Sequence, residues 1–91
     1  MSESNPIKAS IRSFIVRTFA AARKHAVSDD LPLLESGVID SLGVLDVVTF
    51  LEQTFAIKVS DEELIPDNFA TVRSMACYVE TKRRQLEVSA E

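Results

Sequence analysis

The chain is predicted to fold as an all-α helical bundle, and three observations support this. Its 91 residues include only two glycines and three prolines, fewer turn residues than a β-rich fold needs. Hydrophobic residues make up 46% and charged residues 26%, as in a globular domain. Apolar residues also recur at helical spacing in three separate stretches. We therefore expect three main helices and one short one in a single domain over residues 1–91, with its core at about 6–85 and frayed ends at 1–5 and 86–91.

The first helix is predicted to run from Pro6 to about Lys24. Asn5 can cap it, and Pro6 suits the first helical position because the N–H that proline lacks would be unpaired there. The basic Lys24 suits the negative end of the helix dipole. The apolar residues at helical spacing are Ile7, Ile11, Phe14, Ile15, Phe19 and Ala22.

A long loop is predicted from Ala26 to Asp40. The run at 28–30 and the pair Leu31-Pro32 are loop signals, since proline disfavours a helical residue before it. The loop is nevertheless too apolar to be fully solvated, so we expect several of its side chains to fill the gap between helices. These side chains are Leu31, Leu33, Leu34, Val38 and Ile39. A connection this long is often tied to function.

The second helix is predicted from Ser41 to Phe55. One apolar stripe consists of Leu45, Val48, Leu51 and Phe55. Four more apolar residues widen this stripe beyond half of the circumference: Leu42, Val44, Val47 and Phe50. A stripe this wide indicates a central helix, an exposed apolar patch, or both.

A short helix and a last long helix are predicted for the remainder. Ser60 followed three residues later by Glu63 is a capping-box signature, and Pro66 is expected to end this short piece. Thr71 can cap the last helix. The apolar residues of that helix are Val72, Met75, Ala76 and Val79. Residues 87–91 lack periodicity and are expected to be frayed.

Composition excludes several kinds of site. Cys77 and His25 are the only cysteine and histidine, so one copy of the chain cannot assemble a disulfide, a zinc site or a Cys/His nucleophile pair. Basic residues are concentrated in residues 1–28, whereas Lys58 is the only one within 29–67, so nucleic-acid binding is not expected there. There is no apolar run of membrane-spanning length and no apolar secretory segment. We expect a cytoplasmic monomer.

Ser41 is the most informative residue, because it lies where the loop ends and the second helix begins. In the first turn of a helix a serine hydroxyl is exposed. The unpaired amides and the positive end of the dipole also favour a phosphate there. The alternative is that Ser41, or Asp40 beside it, only caps the helix.

The run from Gly37 to Leu42, with this order of elements, resembles the acyl carrier protein superfamily from about Ile7 to Arg84. In that family the serine of an Asp-Ser-Leu motif receives 4′-phosphopantetheine from coenzyme A. The resemblance implies that Ser41 is the attachment site, modified by a phosphopantetheinyl transferase, and that the chain needs no catalytic residues of its own. Cys77 is expected to be a small buried side chain and not the working thiol.

The motif departs from that of fatty-acid-type carriers. Those usually have one residue between Gly and Asp-Ser-Leu and an acidic second helix. Here two residues separate Gly37 from Asp40, and the helix carries only Asp46 and Glu52 as charges. The form Gly-x-x-Asp-Ser-x-Gly, with the stretch 64–69, resembles D-alanyl carriers and discrete aminoacyl or peptidyl carriers. This implies a carrier that an adenylating ligase loads with an amino acid or small acyl group, for downstream acyl-transfer enzymes.

Partner enzymes are expected to contact the start of the second helix. Leu42 and Val44 are expected at its rim, with Asp40 and Asp46 as polar contacts in a small, transient interface.

Two other functions are kept as alternatives. One is a carrier of fatty acyl, polyketide or lipid-modification intermediates. The other is an unmodified helical adaptor whose apolar second helix binds a partner helix. A catalytic role is disfavoured because the chain lacks a set of nucleophile, base and orienting group.

Overall fold

The computed structural model describes the backbone of residues 6–89 and the side chains of residues 6–85. Within that part of the chain every regular element is helical, which confirms the all-α bundle with three main helices. The elements are α1 (Pro6–Thr18), a first 3₁₀ helix (Ala20–Lys24), α2 (Ser41–Phe55), a second 3₁₀ helix (Asp61–Glu63), α3 (Pro66–Phe69) and α4 (Val72–Ser89). Among these helices none is both long and apolar enough to cross a membrane.

The first helix is interrupted, so the prediction of one helix to about Lys24 was wrong at its C-terminal end. Phe19 has an extended backbone, with φ −110° and ψ 114°, between α1 and the first 3₁₀ helix. Its amide still donates to the Ile15 carbonyl at 3.0 Å, and its carbonyl accepts from the Ala22 amide at 2.9 Å. The apolar periodicity runs through both helix types and therefore hides the break. The predicted Asn5 cap lies outside the described residues.

The core lies between α1, α2 and α4 and is completed by the loop. Each fully buried aliphatic side chain stabilises the fold by about 1.5–3 kcal/mol relative to an exposed one. The helical core residues with at most 1% exposure are Ile11, Ile15, Val47, Leu51, Val72, Met75 and Val79. From the loop, Leu33, Val38 and Ile39 are buried, as predicted.

The buried face of α2 differs from the predicted stripe. Leu51 is fully buried, but Leu45 is 55% exposed and Val47 takes the inward position. The buried line runs through Gly43, Val47 and Leu51, at intervals of four residues. Because apolar residues cover most of this helix, hydrophobicity alone could not fix its rotation. Gly43 lies on the inward side and packs closely against Phe19 and Ile39.

Backbone hydrogen bonds and ion pairs hold the long loop in place. The Leu33 amide donates to the Ala70 carbonyl at 2.8 Å, and the Arg73 amide donates to the Asp29 carbonyl at 2.9 Å. The Asp29 carboxylate also pairs with Arg12 of α1. The loop is therefore attached to both terminal helices, and it delivers the chain to the start of α2 in a defined position.

The connection from α2 to α4 follows the predicted caps, with one correction at Pro66. Ser60 and Glu63 form the capping box of the second 3₁₀ helix, and Thr71 caps α4 by accepting from the Ser74 amide at 3.0 Å. Pro66 does not merely end the preceding piece, because it begins α3 at its first position, where its missing N–H costs nothing.

The last helix is longer than predicted. α4 reaches Ser89, beyond the end of the core predicted at about residue 85. Residues 80–88 are mostly good helix formers such as Glu, Lys, Arg, Gln and Leu, which continue a helix without an apolar stripe. Residues 90 and 91 lie outside the described part.

Candidate site around Ser41

Asp40, and not Ser41, caps α2. Asp40 has an extended backbone, and its Oδ1 atom accepts a hydrogen bond from the Gly43 amide at 2.7 Å. Its carbonyl accepts the first bond of the helix, from the Val44 amide at 3.1 Å. Ser41 is the first helical residue and is exposed, and its hydroxyl makes no hydrogen bond to any other residue that the structure describes. The Ser41 side chain therefore has no part in capping.

The first turn of α2 packs closely against its surroundings at Gly43. A Cβ atom built on Gly43 would lie 2.8 Å from Cε1 of Phe19, 3.0 Å from Cγ2 of Ile39 and 3.1 Å from Oδ1 of Asp40. Gly37, before the turn, has a φ of +83°, a conformation that favours glycine. Both glycines of the chain therefore determine how Ser41 is presented.

An apolar groove of about 210 Å³ begins at Ser41. It lies between α2, the long loop and the segment leading into α3. Its lining residues are Leu34, Ser41, Val44, Leu64, Ile65, Pro66 and Phe69. None of these side chains can act as a general acid or base near neutral pH, so the groove offers contact surface and no catalytic group.

Several apolar side chains around Ser41 are exposed. Leu42 is 76% and Leu45 is 55% exposed on α2, and Leu64 and Ile65 are 38% and 45% exposed before α3. Val44 was expected at the exposed rim of α2. It is instead half-buried, packs against the core and lines the groove. The exposed apolar surface of α2 is thus formed by Leu42 and Leu45.

The polar residues expected beside this surface are also exposed. Asp40 and Asp46 are both solvent-exposed, and both line a second groove of about 500 Å³ against the end of α1 and the first 3₁₀ helix. Ser41 therefore lies between an apolar groove and a more polar one.

Glu63 is the centre of a network that the sequence indicated only in part, through the capping box. Its carboxylate accepts hydrogen bonds from the Tyr78 hydroxyl at 2.9 Å, the Lys82 ammonium at 3.0 Å and the Ser60 amide at 3.1 Å. Burial opposes its charge, but these hydrogen bonds outweigh burial and lower the pKa of Glu63 from 4.5 to about 2. The network ties the segment that precedes Leu64 to α4.

The pKa of Tyr78 is shifted in the opposite direction to that of Glu63. Burial and the hydrogen bond to the ionised Glu63 raise the pKa of the Tyr78 phenol, so it stays a neutral donor. No sequence pattern indicated this pairing, because the two residues are fifteen positions apart in different elements.

Cys77 is exposed, so the prediction of a buried side chain was wrong. The inward face of α4 is formed by Val72, Met75, Ala76 and Val79. Position 77 falls on the outward face, four residues after the exposed Arg73. Its thiol is not among the groups that line the groove beside Ser41.

The part of the chain that the structure describes is a small helical bundle with an exposed serine at the start of α2. The family model described as "Phosphopantetheine attachment site" matches residues 13–79. The chain belongs to this family of phosphopantetheine-binding carrier proteins. It is a non-catalytic carrier that holds acyl or aminoacyl groups on covalently attached 4′-phosphopantetheine.

Curated relatives of the chain are also named as carriers. It is 31% identical to "Probable acyl carrier protein PigG" of Serratia sp. (strain ATCC 39006) over 74 residues, which cover 81% of this chain and 85% of that protein. It is 36% identical to the D-alanyl carrier protein of Streptococcus pyogenes over 73 residues, which cover 78% of this chain and 92% of that protein.

Proposed function

We propose that Ser41 carries the 4′-phosphopantetheine arm and that the chain is a stand-alone carrier of an activated amino acid or small acyl group. The observation that carries this proposal is the difference in role between two adjacent residues, Asp40 and Ser41. Asp40 caps α2, and the adjacent Ser41 leaves its hydroxyl exposed and without a partner among the described residues. The positive end of the α2 dipole favours a phosphate at this position.

The chain supplies a nucleophile and its position, while a phosphopantetheinyl transferase supplies the remaining chemistry. The Ser41 oxygen would attack the phosphorus of coenzyme A that bears the pantetheine. The phosphodiester bond to Ser41 forms as the pyrophosphate bond breaks, and adenosine 3′,5′-bisphosphate leaves. The lining of the apolar groove contains no base, so in this proposal a base of the transferase accepts the Ser41 proton. Once attached, the arm supplies a mobile thiol that holds the cargo as a thioester.

The likeness to D-alanyl carrier proteins supports a small cargo and loading by an adenylating ligase.

The second candidate function is a carrier of fatty acyl, polyketide or lipid-modification intermediates. The relative named as an acyl carrier protein favours it. The two candidates share the arm on Ser41 and differ in the enzyme that loads it. Incubation of the modified protein with ATP, candidate ligases and a panel of amino acids, set against acyl-coenzyme A and acyltransferases, separates them by the mass of the thioester.

The proposed docking surface consists of Leu42 and Leu45 with Asp40 and Asp46. This surface surrounds Ser41 and leaves a large apolar area in solvent, with 76% of Leu42 exposed. It would contact the transferase, the ligase and the downstream acyl-transfer enzymes in turn, in the cytoplasm and as a monomer. The exposed apolar centre fits partners with an apolar contact surface, and Asp40 and Asp46 would make polar contacts at its edge.

The test of the proposed attachment site is modification with coenzyme A, Mg²⁺ and a broad-specificity transferase. We expect one phosphopantetheine mass on the unaltered protein and none on Ser41→Ala, with the helical circular dichroism of the two proteins the same. Ser13→Ala, at an exposed serine of α1, is the matched control and should accept the arm normally. Addition that persists in Ser41→Ala, or fails on the unaltered protein, would contradict the proposal.

A further inference from the structure

The break between α1 and the first 3₁₀ helix places the Phe19 ring against the start of α2. Cε1 of Phe19 is 2.8 Å from the position that a Cβ atom of residue 43 would occupy. Contacts this short are repulsive, because well-packed carbon atoms are separated by about 3.5–4.0 Å. Only glycine fits at position 43 while Phe19 keeps this place.

Two of the three neighbours of this position are held in place. Ile39, which is 3.0 Å from the same Cβ position, is only 1% exposed, and the Asp40 carboxylate at 3.1 Å is engaged as the helix cap. The Phe19 ring is half-buried and packs edge-on against Phe14, with centroids 6.2 Å apart. Phe14 in turn stacks on Phe50 of α2 at 4.2 Å. A larger residue at 43 would therefore shift the first turn of α2, the Phe19 ring, or both.

Ser41 lies inside that turn, one residue after the cap and two before Gly43. We propose that Phe19 is a positioning residue for transfer of phosphopantetheine to Ser41, acting through its contact with Gly43. The inference rests on the proposed role of Ser41. It explains why the chain leaves the α-helical conformation at Phe19, since the extended backbone there accompanies the contact of its ring with α2.

The test is transferase kinetics with the carrier as the varied substrate. Gly43→Ala should lower kcat by roughly 10- to 100-fold, because a displacement of about 1 Å in a reacting group can cost a factor of this order. Phe19→Leu removes the ring edge and should restore kcat in the double variant Phe19→Leu/Gly43→Ala. Phe19→Leu alone should lower kcat less than Gly43→Ala, since the turn loses one contact but is not displaced.

Phe14→Leu provides the matched control. It makes the same change in the same aromatic cluster, but none of the three atoms nearest to the Gly43 Cβ position belongs to Phe14. The double variant Phe14→Leu/Gly43→Ala should therefore remain as slow as Gly43→Ala.

The separation of kcat from KM distinguishes positioning from loss of folding. An unfolded fraction of carrier is not a substrate, so partial unfolding raises the apparent KM and leaves kcat unchanged at saturation. A folded but displaced Ser41 lowers kcat itself. Thermal unfolding of each variant, followed by circular dichroism, measures the folded fraction at the assay temperature.

Three results would overturn the inference while leaving Ser41 as the attachment site. They are a normal kcat in Gly43→Ala, a change in KM alone, or equal rescue by Phe14→Leu and Phe19→Leu. Failure of the unaltered protein to accept the arm at Ser41 would instead overturn both the inference and the proposed function.

Discussion

Cys77 is the only thiol encoded in the chain, and it lies on the surface of α4. A carrier that works through thioesters therefore has two accessible thiols once its arm is attached, one on the protein and one on the arm. Position decides between them, because Cys77 is fixed on a helix, whereas the arm is mobile and begins at the proposed docking surface. The protein thiol is outside the groove beside Ser41.

We predict that Cys77→Ser leaves thioester loading by the ligase within about twofold of the unaltered protein, because a surface substitution of this kind changes stability by less than about 0.5 kcal/mol. Intact-protein mass spectrometry after loading measures this. In the unmodified protein, iodoacetamide should alkylate Cys77 without prior unfolding. Loss of the thioester in a folded, fully modified Cys77→Ser protein would show that Cys77 takes part in loading.

At the residue scale, local chemistry was easier to predict than burial. The start of α2 followed from capping preferences, which depend on a few neighbouring residues. The exposure of Cys77 and Leu45 depends on how each helix is rotated about its axis. In α2 the inward Gly43 packs against Phe19, more than twenty residues away, and no short window of sequence reveals this contact.

At the scale of elements, the second 3₁₀ helix is held to α4 through a single carboxylate. Glu63 accepts hydrogen bonds from Lys82 and Tyr78 of α4 and from Ser60 of its own segment. Leu64 and Ile65 follow directly and form one wall of the groove beside Ser41. The position of this wall thus depends on a charge some twenty residues distant from Ser41 in the chain.

We predict that Glu63→Gln lowers the free energy of unfolding near pH 7 by about 1–2 kcal/mol, since it weakens hydrogen bonds to a charged group. The folded protein holds the pKa of Glu63 at about 2, below its ordinary 4.5. The stabilisation is therefore complete above about pH 4.5 and is lost as the pH falls toward 2. Urea unfolding across this pH range should show that the free energies of unfolding of the two proteins become more similar as the pH falls.

Glu62→Gln is the control for that prediction. Glu62 is exposed and adjacent, and it has no ion pair or side-chain hydrogen bond within the described part of the chain. Its substitution should change stability by less than about 0.5 kcal/mol throughout. The difference in the free energy of unfolding between Glu63→Gln and the unaltered protein should narrow at low pH. If this difference stays constant down to pH 2, the Glu63 charge does not stabilise the fold.

The elements themselves were largely predictable from their caps and periodicity. The capping box at Ser60 and the cap at Thr71 were both confirmed. The break at Phe19 was not predictable, because a 3₁₀ helix preserves nearly the same apolar spacing as an α-helix over one turn. The full length of α4 was not predictable from apolar periodicity, because its last turns have no apolar stripe and are instead rich in good helix formers.

On the scale of the whole molecule, charge and apolar surface are distributed unevenly. Basic residues cluster in residues 1–28, and acidic residues dominate 29–67, which includes the start of α2. Leu42 and Leu45 are the most exposed apolar side chains near Ser41, and both lie within the acidic region. Docking there can be driven by apolar contact, by charge, or by both, and salt separates these contributions.

We predict that Leu45→Asp slows loading by the ligase about tenfold at low carrier concentration, as expected when a central apolar contact worth about 1.4 kcal/mol is lost. Helical content should be unchanged, because Leu45 is 55% exposed. Loading of the unaltered protein should fall only slightly as salt increases from about 0.05 to 0.5 M, since apolar contacts are not screened. Initial rates of thioester formation provide both measurements.

Val16→Asp is the matched control, because Val16 is an apolar residue 37% exposed on α1. It should load at the normal rate. A steep loss of loading with salt, together with a normal rate for Leu45→Asp, would move the docking surface to the acidic residues around Asp61 and would favour the fatty-acyl alternative.

The cap on α2 has a consequence for the order in which the protein folds and is modified. Because Asp40 secures the helix and the Ser41 oxygen takes no part in that cap, the proposed arm on Ser41 would leave the cap intact. We therefore expect the chain to fold before it is modified. A hydrolase that removed a spent or wrongly loaded arm would release an intact bundle, ready to be modified again.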